Sequence, residues 1–272
     1  MKIGNTKFKI GKRTFIVGIL NVTPDSFSDG GMFDSVLAAT KQAKKLQKEG
    51  ADIIEVGGES TRPGHFKVDL ETEIERVIPV IKALNEDDEI TVPLAIDTSK
   101  SEVADTALSY GVSLVNDVWG FKKDPELAQV CAKYNAICCT MHNRDSFNYT
   151  NFIPDVFKDI QESINILIQA GVKPANIIID PGIGFAKSPE QNIEILRNLM
   201  AFTSLPYPLM VGTSKKSFMG KTIGLDINNR QESTMATTVL AISKGANFIR
   251  VHNVAENKKA AQMADYIMRH QY

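Results

Sequence analysis

Short apolar runs alternate with longer amphipathic stretches along this chain. The run Phe15-Ile16-Val17-Gly18-Ile19-Leu20 ends at Asn21 and gives way to a polar, glycine-rich stretch over residues 23–31. Val36, Ala39, Ala43 and Leu46 then recur at helical spacing, with Asp34 placed to cap that helix and Gly50 to stop it. The unit repeats. A strand over 52–56 precedes a helical pattern with Ile74, Val77, Ile78, Ile81 and Leu84. The next strands, over 92–96 and 113–115, end at Asp97 and at Asn116-Asp117, and the helix after the second opens at Asp124-Pro125. A strand over 136–140 ends at Met141-His142, and Ile177-Ile178-Ile179 ends at Asp180. A tight turn, Gly182-Ile183-Gly184, leads from there to a helix start at Ser188-Pro189. The last two strands, over 208–211 and 247–251, lead into Gly212-Thr213-Ser214-Lys215-Lys216-Ser217 and into His252, and the second carries Arg250.

Eight strand-then-helix units imply a parallel sheet, and eight in a chain of 272 residues imply a closed barrel. The expected fold is therefore α/β: one (β/α)8 TIM barrel spanning residues 1–272 as a single domain. An N-terminal β-hairpin is expected over residues 7–15, turning at Gly11-Lys12. A doubly wound open sheet is the rival, but no Gly-x-Gly-x-x-Gly follows the first strand.

Composition narrows the function classes. The formal net charge is -1, which offers no basic excess for nucleic acid. No apolar run approaches the ~18 residues that read as a membrane span, and residues 1–5 lack a signal-peptide pattern. Cys131, Cys138 and Cys139 form no Cys-x-x-Cys pair and read as buried thiols, which suits a reducing cytoplasm. The four histidines lack zinc-ligand spacing, and the turn after Asp180 lacks the Gly-Lys-Ser/Thr ending of a P-loop.

In a (β/α)8 barrel the C-terminal strand ends share one rim, and the site is built there. That rim is expected to gather Asn21, Glu55, Asp97, Asn116, Asp117, His142, Asp180, Lys216, Arg250 and His252. Asp97, Asn116 and Asp180 suit a flat heterocycle with several N–H donors and ring acceptors. Arg62, Lys216, Arg250 and His252 suit phosphate or pyrophosphate. Asn21 offers an oxygen to a hard cation such as Mg²⁺, which keeps waters and phosphate oxygens as its other ligands. His142 has a plainer reading, as a ring bonded to backbone. Trp119 and Phe121 read as packing or loop cover.

At these residues the chain resembles the dihydropteroate synthase family. The likeness is carried by the run from Gly18 through Asn21-Val22-Thr23-Pro24-Asp25 to Gly31, and by Gly57-Gly58-Glu59-Ser60-Thr61-Arg62-Pro63-Gly64. Ile96-Asp97-Thr98, Asn116-Asp117, Met141-His142, Asp180 through Phe185, Ser217-Phe218 and Arg250-Val251-His252 extend it nearly end to end. The resemblance implies an enzyme of folate synthesis that joins 6-hydroxymethyl-7,8-dihydropterin diphosphate to 4-aminobenzoate. It implies that Asp97, Asn116, Asp180 and Lys216 bind the pterin, with Met141, Phe185 and Gly212 lining the slot. Asn21, Arg250 and His252 would hold the diphosphate with Mg²⁺. Thr61, Arg62, Ser217 and the loop over 24–28 would form the aminobenzoate side. A homodimer and a sulfonamide target are implied as well.

Some positions depart from the family's usual pattern. Glu55 stands where aspartate is common, Lys215 where arginine is, and Asn253 where aspartate follows Arg-Val-His. Asn143-Arg144-Asp145 replaces a Met- and Gly-containing loop. Two alternatives remain at this level: a methyltetrahydrofolate-binding barrel of corrinoid methyltransferases, which needs no diphosphate cations, and a non-catalytic pterin-binding paralogue.

Overall fold

The computed structural model describes residues 1–23, 32–59 and 68–269. The expectations for residues 24–28, Thr61 and Arg62 lie outside them. Eight parallel strands form one sheet: β3 (Phe15–Asn21), β4 (Ile53–Gly57), β5 (Leu94–Asp97), β6 (Leu114–Asp117), β7 (Ile137–Met141), β8 (Ile177–Asp180), β9 (Met210–Val211) and β10 (Phe248–Val251). They lie in the order β8-β7-β6-β5-β4-β3-β10-β9. A parallel bridge between Ile179 and Leu209 joins the two ends, with Ile179 N donating to Pro208 O at 3.0 Å. The sheet is thus the closed barrel expected from the eight repeats.

Side chains alternate between the faces of each strand, so two cores form. Outward residues such as Ile16, Ile54, Ile96, Val115, Cys138 and Ile179 pack under the helices. Inward residues fill the barrel, among them Val17, Ile53, Ala95, Leu114, Ile137, Cys139, Ile178 and Met210. Ile3, Phe8, Phe15 and Phe248 belong to this second core, with the Phe8 and Phe15 rings 4.8 Å apart, edge to face. Burying each of these large side chains contributes about 1.5–3 kcal/mol. All three cysteines are buried.

The hairpin lies earlier than expected. Its strands are β1 (Lys2–Ile3) and β2 (Thr6–Lys7). It turns at Gly4-Asn5, where Gly4 takes φ +56, a left-handed value that suits glycine. Gly11 bends the chain without pairing strands.

The helices are α1 (Met32–Lys48), α2 (Leu70–Glu86), α3 (Ser101–Ser109), α4 (Leu127–Lys133), α5 (Phe152–Gln169), α6 (Pro189–Phe202), α7 (Ser217–Ile223), α8 (Gln231–Ser243) and α9 (Val254–Arg269). Helix α1 already runs from Met32, so Asp34 lies within its first turn and does not precede it. Helix α4 starts at Leu127, after Asp124-Pro125, because the Asp124 carboxylate accepts Ser101 N at 2.7 Å and Glu126 N at 3.0 Å and makes a separate turn. Helix α6 starts where Ser188-Pro189 predicts, on a reciprocal capping box with Gln191. Short α7 had no separate signal in the hydrophobic pattern. It ends on Gly224 at φ +72.

Candidate active site

The inward position at the top of each strand supplies the mouth of the barrel. Register places Asn21 beside Gly57, Gly57 beside Asp97, and Asp97 beside Asn116. Met141 pairs with Asp180 on the other side. Asp97, Asn116 and Asp180 are all buried. Asn116 Nδ2 donates to Asp97 Oδ1 at 3.1 Å, so these two already form an acceptor row. Asp180 Oδ1 accepts Gly182 N at 2.7 Å, which aims the carboxylate through the turn that follows it.

Arg250 is level with Val17 and Ile53, one inward position below Glu55. Its length carries the guanidinium up between two acids. Arg250 Nε donates to Glu55 Oε1 at 2.5 Å, and Nη2 donates to Asp97 Oδ2 at 2.5 Å. Burial raises the pKa of both carboxylates, and the adjacent guanidinium opposes that rise. Burial also works against the Arg250 charge, but Glu55 and Asp97 outweigh it and hold its pKa above the ordinary value. Glu55, expected at the rim but given no ligand role, is 1 % exposed and serves as the partner of Arg250. The signal that finds it is alternation: residues 53, 55 and 57 share the inward face.

Asp180 shows the opposing effects most plainly. Burial pushes its pKa up to about 6, against Gly182 N–H, Arg250, Lys216 and Lys187. Lys216 lies with Nζ 4.1 Å from the centroid of the Phe185 ring, a cation–π contact. Phe185 packs with Met141 and Val118, and Trp119 covers that cluster. Gly184, at φ +87, leaves room for the Lys216 stem, since a Cβ there would stand 2.8 Å from Lys216 Cδ. A Cβ at Gly212 would stand 3.5 Å from Arg250 Cβ. His252 Nδ1 lies 2.9 Å from Ser214 Oγ, a partner that sequence reading missed. Ser217 opens α7 and is exposed.

Two rim candidates point away from the mouth. Asp117 follows inward Asn116 and so faces outward. Its oxygens accept Trp119 N at 2.9 Å and Phe121 N at 2.5 Å, and burial pushes its pKa up to about 7. It shapes a loop. Phe121 is core, as expected. The His142 side chain does not bond backbone as expected, because the loop turns it toward Asp159, 3.0 Å from Nε2, and Lys187, 2.7 Å from Nδ1.

Among the described residues no cluster of three or more His, Cys, Asp or Glu could hold a metal. The donor set fits Mg²⁺ only in the manner expected from sequence, through the amide oxygen of Asn21. That oxygen lies beside Gly57, 3.7 Å from where a Cβ there would stand. Substrate phosphate oxygens and waters would complete the shell.

A buried row of acceptors, an aromatic and thioether wall, and cations at the same rim define a barrel enzyme that binds a flat, amino-substituted heterocycle. The chain belongs to the pterin binding enzyme family, whose model matches residues 17–252. It is 54% identical over 270 residues to a dihydropteroate synthase of Clostridium beijerinckii, covering 99% of this chain and 100% of that one. Among solved structures it superposes on a Clostridium difficile dihydropteroate synthase, crystallised in the presence of pteroic acid. That match has a TM-score of 0.94 and 50% identity, and covers 97% of this chain and 100% of the other. A Xanthomonas albilineans dihydropteroate synthase with 4-aminobenzoic acid matches with a TM-score of 0.90 and 35% identity, covering 96% of this chain and 95% of the other.

Proposed function

We propose that this chain condenses 6-hydroxymethyl-7,8-dihydropterin diphosphate with 4-aminobenzoate, releasing pyrophosphate and 7,8-dihydropteroate, the reaction of dihydropteroate synthases. One observation carries the reading: Asp97, Asn116 and Asp180 converge beside the Met141–Phe185 wall. Carboxylates accept the amino and ring N–H groups of a pterin, and the asparagine amide matches a mixed edge. As the C–O bond breaks, positive charge spreads from the methylene carbon into the ring, and Asp97 and Asp180 stabilise it through those N–H groups. The departing pyrophosphate gains negative charge and meets Lys216, Arg250 and His252. Mg²⁺, bound at Asn21, would neutralise phosphate charge. The displacement is SN1-like, with no covalent enzyme intermediate, and the aryl amine captures the cation. Ser217 stands on the aminobenzoate side, with Thr61 and Arg62 assigned there by family likeness.

The assay is pyrophosphate release from the pterin diphosphate, with and without 4-aminobenzoate and Mg²⁺. Sustained release that needs both substrates is expected. A protein that binds the pterin yet never turns over would be a non-catalytic paralogue instead.

The assembly is proposed to be a homodimer. Its support is an exposed apolar set on α8 and α9: Val239, Leu240, Met263, Tyr266 and Ile267. Isolated apolar residues are ordinary on a surface, but these sit on two helices that pack against each other, as an interface would require. Sedimentation is expected to give twice the 30.0 kDa chain mass, and a monomer at micromolar concentration would rule the dimer out. Three buried free thiols support a reducing, cytoplasmic setting, and no helix among the described residues is long and apolar enough to cross a membrane.

A further inference from the structure

Behind the Asp180 turn sits an ionisable chain that the reaction itself does not consume. Lys187 is 6% exposed, an unusual burial for lysine. Its Nζ donates to Gly182 O at 2.9 Å and Phe185 O at 3.1 Å, and lies 2.7 Å from His142 Nδ1. An ammonium has three N–H bonds, and these three acceptors saturate them. With Nδ1 accepting, the His142 proton resides on Nε2 and is donated to Asp159 Oδ2 at 3.0 Å. Asp159 Oδ2 also accepts Arg144 Nε at 2.5 Å, which fixes the far end of the chain.

We propose that Lys187 is a positioning residue for the pterin site: seated on the Asp159–His142 pair, it clamps the turn that aims Asp180 and carries Phe185. Gly182 is gripped from both directions. Its N–H holds Asp180 Oδ1 at 2.7 Å, while its carbonyl is held by Lys187. Phe185 is treated alike, its carbonyl bound by Lys187 and its ring packed on Met141 beneath Lys216. The turn has no slack to compensate for a lost clamp. Gly182 takes φ +68, and a Cβ there would collide with His142 O. An apolar side chain at 187 would leave Phe185 O and His142 Nδ1 without this donor and Gly182 O with only the bond from Phe185 N at 3.2 Å, and the turn would shift toward water to satisfy them.

The clamp also has an electrostatic role at Asp180. Lys187 joins Arg250 and Lys216 in favouring the ionised carboxylate against burial. The groups facing Lys187 itself are Asp180 and Asp159, which favour its charge, and Lys216 and Arg144, which oppose it. Burial outweighs the favourable pair and brings its pKa down to about 7. Losing the cation raises the Asp180 pKa further. The carboxylate must be ionised to accept pterin N–H groups, so productive binding is lost as pH falls through that pKa. Without Lys187 this loss sets in at a higher pH.

The inference rests on the pterin reading, and the experiment separates the two. Lys187→Met, folded by circular dichroism, is titrated calorimetrically with a 6-hydroxymethylpterin and assayed across pH. Pterin affinity is expected to fall about tenfold or more, and the KM for 4-aminobenzoate to stay within about twofold. The acid limb of kcat/KM for the pterin substrate should move to higher pH. His142→Gln, which keeps the lysine and removes its ring partner, should show the same pattern in weaker form. It carries the test if Lys187→Met does not fold. Unchanged pterin affinity and an unmoved acid limb in the folded variant overturn the proposal, as do equal losses for both substrates. Failure of the parent protein to bind pterin at all would instead sink the functional reading.

Discussion

Asp97→Asn should lose about 10²–10³-fold in kcat while its affinity for pyrophosphate with Mg²⁺ stays within about threefold of the parent's. The substitution keeps the shape of the side chain and one acceptor oxygen, so the bond from Arg250 Nη2 at 2.5 Å can persist. The bond from Asn116 Nδ2 at 3.1 Å, made to the other carboxylate oxygen, is lost unless the Asn116 amide flips. What it removes is a full negative charge facing the ring as that ring becomes cationic. An interaction stronger in the transition state than in the ground state appears in kcat. Steady-state kinetics beside a pyrophosphate titration checks this. Parallel losses in both measurements would mean that Asp97 serves only to hold the fold or the phosphate.

Arg250→Met should lower stability by about 3–5 kcal/mol, because it leaves the Glu55 and Asp97 carboxylates buried without their cation. For a chain of this size, that is a fall of roughly 6–20 °C in the unfolding midpoint. The sign with pH follows from the direction of the shifts. Both carboxylates are already raised by burial, and without the opposing guanidinium they rise further. A carboxylate whose folded pKa exceeds its unfolded one is favourable when protonated, so the deficit should grow as pH rises and shrink in acid. Arg250→Lys should recover part of the loss, since it restores a charge but not the two-pronged geometry. Calorimetric scans at two pH values decide it. A deficit that widens in acid would contradict the pairing.

The barrel was legible because each strand carries the same punctuation, an apolar run closed by a polar residue. The acceptor trio was legible for a related reason: Asp97, Asn116 and Asp180 stand at strand ends, where inward residues meet the mouth. Alternation takes the reading further. With Asn116 inward, Asp117 must face out, and with Ile53 inward, Glu55 must follow it in. Arg250 could be placed on the last strand, but its partners depend on the stagger between strands, which the linear chain does not display. The Lys187–His142–Asp159 chain was not legible, since it depends on how two loops fold over each other. The hairpin was misplaced because Gly11-Lys12 drew the reading away from Gly4-Asn5, a two-residue turn with glycine at its first position.

The ion pairs at Arg250 join residues 195 and 153 positions apart in the chain. As a ribosome releases the protein, the acids of β4 and β5 emerge long before the strand that neutralises them. Two carboxylates therefore stay hydrated until β10 docks between β3 and β9. Substrate recognition has no half-built precursor: the cradle comes into being with the final ring closure, and a truncated nascent chain should have no pterin affinity to lose.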